Sequence, residues 1–157
     1  MKNKEELDRW LSLLANVGVI AGIVFLAVEI RQNTEMVESQ TRDSITEKQI
    51  PVFEWYATST ENNRIRVEGD RLGLDPGSPE ASQYAWMIAG NLRLWENEWY
   101  QYKQGLFEPE EFEPRINIWK QMIDNAPGMK KMWETQRYSY SPEFKGLIDS
   151  LIKEPEQ

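Results

Sequence analysis

The chain has 157 residues and a formal net charge of −8 at pH 7, and it contains neither cysteine nor histidine. A disulfide, a thiol nucleophile, a zinc–thiolate site and a histidine-dependent catalytic triad are therefore excluded. The acidic balance argues against a nucleic-acid partner, because phosphates would be repelled. No residue pattern indicates a cofactor or a bound metal, so none is expected.

An uncharged, strongly apolar run extends from Leu11 to Val28. As an α-helix, residues 10–30 would span about 31 Å, close to the thickness of the hydrocarbon layer of a bilayer. We therefore predict a short N-terminal tail at 1–9 and a transmembrane helix over 10–30 that contacts lipid. A core helix of a soluble bundle and a cleaved signal peptide are the alternatives, but a signal peptide has a shorter apolar region and a small-residue cleavage site. An uncleaved single-pass signal-anchor is the favoured interpretation.

Small residues within the run fall on one helical face, which consists of Ala15, Gly18 and Gly22. Small side chains let two helices approach closely, so this face predicts a homodimer contact in the membrane. Glycine is also common in membrane helices that make no such contact, so a plain anchor stays open. Basic residues flank the run on both sides, and the positive-inside rule therefore gives no orientation.

Beyond the apolar run, residues 31–50 have high helix propensity and predict a helical stalk. Pro51 is expected to kink or end this helix, because proline removes a backbone donor. Residues 51–153 are predicted to fold as a small helical domain, followed by a short tail at 154–157. Within that domain, the glycine and proline residues of 69–79 predict a loop.

Helix boundaries in the domain follow from local signals. Ser-Pro-Glu sequences at Ser78 and Ser141 combine a hydroxyl cap, a proline at the first helical position and an acid. Gly105 is expected to end the helix that begins after Ser78, and Pro127 is expected to break a later one. Three helices are predicted to bury one face each, consisting of Tyr84, Ile88, Leu92, Trp95, Trp99 and Tyr102; of Phe112, Ile116, Trp119 and Ile123; and of Phe144, Leu147, Ile148 and Leu151.

The Trp-Glu-Asn-Glu-Trp-Tyr segment holds the candidate catalytic residues, Glu96 and Glu98. A carboxylate between aromatic rings can have a raised pKa and act as a general acid or base. Such chemistry needs a second, differently tuned group, and no spacing supplies one. The favoured interpretation is that the tryptophans pack in the core and both glutamates lie in solvent, with Glu96 paired to Arg93 or Tyr100.

Several landmarks follow one another in a distinctive order along the chain. They are the segment 26–34, Trp95-Glu96 with 100–102, Gly105-Leu106, Pro127-Gly128 with Trp133, and the segment 140–144. In this order they resemble a family of uncharacterised bacterial proteins, frequent in marine and environmental sequences, which often has two tryptophans where this chain has Met132-Trp133. The resemblance implies an N-terminal membrane helix and a small helical domain. It implies no activity and no catalytic residues. We expect the chain to be a single-pass protein of the bacterial inner membrane, with the side of the soluble domain left open.

Together these patterns predict an all-α protein with a single N-terminal transmembrane helix that continues into a stalk and a small helical bundle. The expected function is a membrane-tethered binding or scaffold module for an unidentified protein partner, or a self-association module. The alternative is a membrane-attached enzyme that uses carboxylate and tyrosine acid–base chemistry. Such an enzyme is expected to have a pocket that contains Glu96 or Glu98, and the pKa of that glutamate would be strongly shifted.

Overall fold

The computed structural model describes residues 2–153, and the predicted tail at 154–157 lies outside them. Over the described range the chain forms six α-helices, one 3-10 turn and no strand, which confirms the all-α class. The helices are α1 (Lys2–Thr58), α2 (Thr60–Asp70), α3 (Pro79–Lys103), α4 (Pro109–Asn125), α5 (Pro127–Gln136) and α6 (Pro142–Lys153), with the 3-10 turn at Arg137–Ser139.

The chain divides into two compact units, Met1–Gln40 and Thr41–Gln157, and α1 contributes residues to both. In the first unit, the described side chains from 3 to 37 are all exposed. By length and composition α1 could cross a membrane, and none of its apolar window is buried. The second unit begins inside the segment predicted as a stalk, and Ile45 from that segment is buried in its core.

Pro51 lies inside α1, so the expectation that it would end the helix is wrong. Proline deprives the carbonyl of Glu47 of its helical donor, but both residues are exposed and water can satisfy that carbonyl. The helix ends instead at Thr58. Ser59 then caps α2, because its side-chain oxygen accepts a hydrogen bond from the N–H of Asn62 at 3.2 Å.

The local signals at Ser78, Gly105 and Pro142 are confirmed, whereas the hydroxyl cap at Ser141 stays a prediction. Ser78 caps α3 by accepting a hydrogen bond from the N–H of Ala81 at 3.0 Å. Gly105 follows the end of α3 with a φ of 75°, the left-handed conformation that glycine adopts without strain. Pro109 and Pro142 occupy the first positions of α4 and α6.

The predicted apolar faces of α3, α4 and α6 form the core of the second unit. The face of α3 is buried from Tyr84 to Trp95, whereas Trp99 and Tyr102 are partly buried and pack against the core. Aromatic rings dominate the contact between α3 and α4. The rings of Trp95 and Trp119 stack at 5.1 Å, and those of Tyr102 and Phe112 stack at 4.3 Å. Such pairs add stability beyond the area they bury.

Two glycines allow α2 and α5 to approach closely. A Cβ at Gly128 would overlap the carbonyl oxygen of Gly69, and a Cβ at Gly69 would overlap the ring of Tyr84. Gly128 follows Pro127, the residue predicted to break a helix, and lies near the start of α5, where it forms this contact. The backbone cannot accept a side chain at either position without moving.

We predict that Gly128→Ala lowers the free energy of unfolding by about 1–3 kcal/mol, because the added methyl group must displace the backbone of α2. Gly146→Ala is the matched control, since Gly146 is exposed in the interior of α6 and its Cβ would meet no atom within 4 Å. That control should gain about 0.5–1 kcal/mol from helix propensity alone. Thermal denaturation of the full chain in detergent micelles measures both. Equal shifts in the same direction would contradict the close crossing of α2 and α5.

Candidate functional site

The two candidate carboxylates lie on different sides of α3. Residues two positions apart on an α-helix point about 200° apart around its axis, so Glu96 and Glu98 cannot face one common site. Glu96 lies against the start of α6, whereas Glu98 lies against α1 and α4.

Glu98 is buried, with 1% of its surface exposed, and the prediction that it lies in solvent is wrong. Its Oε1 accepts a hydrogen bond from Nε2 of Gln49 at 2.6 Å, and its Oε2 accepts one from Nη1 of Arg115 at 3.0 Å. The position could have been recognised as buried from spacing, because it follows Trp95 by three residues and precedes Tyr102 by four. Its partners could not, since Gln49 and Arg115 lie 49 and 17 positions away in the chain.

Burial raises the pKa of Glu98, and the charge of Arg115 with the hydrogen bonds from Gln49 and Arg115 offsets only part of that effect. A glutamate with a shifted pKa is one feature expected for the enzyme alternative. Here both carboxylate oxygens are occupied by side chains of α1 and α4, and the guanidinium of Arg115 lies 5.0 Å from the centroid of the Phe107 ring. The arrangement joins three helices through one buried carboxylate.

Glu96 joins α3 to the start of α6. Its Oε1 accepts a hydrogen bond from the backbone N–H of Ser141 at 2.8 Å, and its Oε2 accepts one from Nη1 of Arg93 at 2.6 Å. Arg93 is one of the two partners expected from the sequence. Burial pushes the pKa of Glu96 upward, but the hydrogen bonds from Ser141 and Arg93 outweigh it and the pKa lies below its usual range. Glu96 is therefore an ionised acceptor beside the positive end of the α6 dipole.

An open cleft of about 720 Å³ surrounds Glu96. Its wall includes Tyr100, Lys103 and Glu143, and Glu98 is not among its lining residues. The carboxylate in the cleft has a lowered pKa, and the carboxyl with the raised pKa lies outside it. The cleft therefore lacks the pair of differently tuned acids that acid–base catalysis by these two residues would need.

The predicted membrane face consists of exposed residues. Ala15, Gly18 and Gly22 are exposed, and a Cβ at either glycine would meet no atom within 4 Å. Glu29 is also exposed. Homodimerisation along this face stays a prediction.

Comparisons with models of known protein families, with curated proteins and with solved structures found no match to this chain. Among the residues that the structure describes, no group of three or more Asp or Glu side chains is arranged to hold a metal ion.

We predict that Glu98→Ala lowers the free energy of unfolding by about 3 kcal/mol, because it removes one partner of a buried ion pair. The value is at the low end of the usual range because 26% of the Arg115 side chain is exposed and can be hydrated. Glu113→Ala is the matched control, since Glu113 is exposed on α4 and its loss should cost less than about 0.5 kcal/mol. Chemical denaturation of the full chain in micelles compares the two variants. Similar costs would contradict the structural role of Glu98.

The raised pKa of Glu98 also predicts a pH dependence of stability. A carboxyl stabilises the fold at low pH if its pKa is higher in the folded state than in the unfolded state. This contribution to the free energy of unfolding is fully present below the unfolded pKa, about 4.3, and is lost as the pH rises through the folded pKa. Glu98→Gln cannot ionise, so it should gain stability relative to the wild type between about pH 4 and neutrality. Denaturation at a series of pH values measures this difference. A relative gain as the pH falls would contradict the assignment.

Proposed function

We propose that the chain is a single-pass membrane protein whose helical domain is a binding or scaffold module. The observation that carries the proposal is the exposure of the apolar run of α1. Between Leu11 and Val28, its leucine, isoleucine, valine and phenylalanine side chains are 50% to 64% exposed. Apolar surface in water is unfavourable by about 25 cal/mol per Å², and a bilayer is the environment that removes this cost along a whole helix.

Two alternatives meet the same criterion of length and composition, namely a core helix of a soluble protein and a signal sequence. The first has no support from the fold, because none of the apolar window is buried. The second calls for a short apolar region and a small-residue cleavage site. Here the helix runs on without interruption into Glu29, Ile30 and Arg31. These features favour an uncleaved anchor, and we propose the bacterial inner membrane as its location.

A binding or scaffold role is favoured over the enzyme alternative by the state of the two carboxylates. Each oxygen of Glu98 accepts a hydrogen bond from Gln49 or Arg115, and each oxygen of Glu96 accepts one from Ser141 or Arg93. Both join helices of the domain rather than leaving reactive oxygens in a common cavity. Self-association through the small-residue face of α1 is compatible with this role, because a second helix could approach the two glycines closely.

Extraction of membranes with alkaline carbonate tests the anchor. We expect the full chain, carrying an N-terminal epitope tag, to stay in the membrane pellet at its full mass. A variant with Val19→Arg and Ile23→Arg is the matched control, because each charge at the centre of a membrane helix costs about 2.5–3.5 kcal/mol of insertion free energy. This variant should move to the supernatant.

Two results would contradict the proposal. Release of the wild-type chain by carbonate would exclude an integral anchor. Retention of the chain without its N-terminal tag would indicate cleavage of a signal sequence instead.

A further inference from the structure

A second cavity, separate from the cleft at Glu96, lies between the loop after α2, the start of α3 and α5. Its volume is about 450 Å³, within the range of about 300–1,000 Å³ that small-molecule sites occupy. Its wall is mainly apolar and includes Leu72, Leu74, Pro76, Ala81 and Met132. The close crossing of α2 and α5 contributes Gly69 and Gly128 to the wall, and Gly77 of the loop also lines it.

Leu72 in this wall adopts a backbone conformation that disfavours it. Its φ is 60°, in the left-handed region, and it follows the end of α2 at the position that glycine usually takes. The N–H groups of Leu72 and Gly73 bond to the carbonyls of Gly69 and Glu68 at 3.0 Å and 2.7 Å, which fixes this helix end. The leucine side chain is 53% exposed, so packing within the domain does not account for its presence. Strain held by an exposed apolar residue in a cavity wall points to a ligand contact.

Two of the three uncharged polar side chains in the wall, which are Tyr84, Ser78 and Ser82, are hydrogen-bonded within the domain. The hydroxyl of Tyr84 donates to Asp70 at 2.8 Å, and the hydroxyl of Ser78 accepts from the N–H of Ala81 at 3.0 Å. Lys131 is exposed at the cavity and, among the described residues, has no ion-pair partner. The cavity therefore combines an apolar wall with one available cation.

We propose that this cavity binds a small amphiphile with one apolar tail and one carboxylate, such as a medium-chain fatty acid. The tail would contact Leu72, Leu74 and Met132, and the carboxylate would pair with Nζ of Lys131. A single lysine matches a single negative charge, and the net charge of −8 disfavours ligands that carry several. The proposal rests on the binding role proposed above and gives that role a ligand class.

Methionine NMR tests the site in the full chain. The chain has six methionines, and with 13C-labelled methyl groups in zwitterionic lipid nanodiscs, Met132 reports on the cavity. We expect octanoate to shift the Met132 methyl signal saturably. Met36 on α1 and Met122 on α4 lie outside the cavity and are exposed, so they report on non-specific partition into lipid or onto the surface. Equal, non-saturating shifts of all three signals would overturn the proposal, as would the absence of any Met132 shift.

Lys131→Gln separates the head group from the tail. We expect it to weaken octanoate binding about two- to five-fold, the size of effect that an exposed ion pair supports, while octanol binding stays unchanged. Lys153→Gln removes the same charge from an exposed position at the end of α6 and should change neither. An equal effect of the two lysine variants, or none from Lys131→Gln, would overturn the carboxylate assignment.

Leu72→Gly distinguishes a ligand contact from a structural role. Glycine relieves the strain at a positive φ, so this variant should unfold at a higher temperature than the wild type. It should also bind octanoate more weakly, because the tail loses a contact. A lower unfolding temperature or unchanged octanoate affinity would overturn the role given to Leu72. Carbonate extraction does not involve this cavity, so failure here and failure of the membrane anchor are distinguishable.

Discussion

The hydrogen-bonded ion pair of Glu98 is the interaction on which the helical domain depends, because it fixes the C-terminal part of α1 against α3 and α4. Three residues of α1 that repeat at every seventh position make polar contacts with these two helices. The contacts are Arg42 to Glu111 at 2.8 Å, Gln49 to Glu98 at 2.6 Å, and Tyr56 to Asn91 at 3.4 Å. Ile45 and Val52 lie between them on the same side, and Ile45 is 1% exposed.

This spacing is that of a coiled-coil seam in which polar residues occupy every other seam position. Polar seam residues specify register at a cost in stability, because a shifted helix leaves them buried without partners. A slip of α1 by one turn would separate Gln49 from Glu98 and leave a buried carboxylate short of one donor. The polar residues at these seam positions are also the reason why the sequence does not predict a buried face on this part of α1. Hydrophobic periodicity is the pattern that indicates a buried face. A segment with Arg42, Gln49 and Tyr56 at seam positions lacks it and is therefore predicted to be a solvated stalk.

The parts of the fold that the sequence predicts are those that depend on neighbours within a few residues. The cap of Ser78, the end of α3 at Gly105 and the buried stripe that includes Trp95 follow from local spacing and local hydrogen bonds. The features that sequence reasoning missed depend on distant partners. The spacing from Trp95 and Tyr102 indicates that Glu98 is buried, but no spacing along α3 indicates that Gln49 and Arg115 contact it. The opposite directions of the Glu96 and Glu98 pKa values have the same origin, since each reflects what a different part of the chain presents to one side of α3.

Around the α2–α3 loop, two glycines occupy positions that require glycine, whereas a leucine occupies a position that favours glycine. Gly69 and Gly128 stand where two helices cross so closely that any side chain would overlap the backbone or the Tyr84 ring. Leu72 stands where the backbone favours glycine, and its side chain remains half exposed. Close packing explains the two glycines completely, whereas neither packing nor conformation explains the leucine. Leu72 opposes its own backbone preference without burial, and the apolar cavity beside it is where the proposed ligand would contact it.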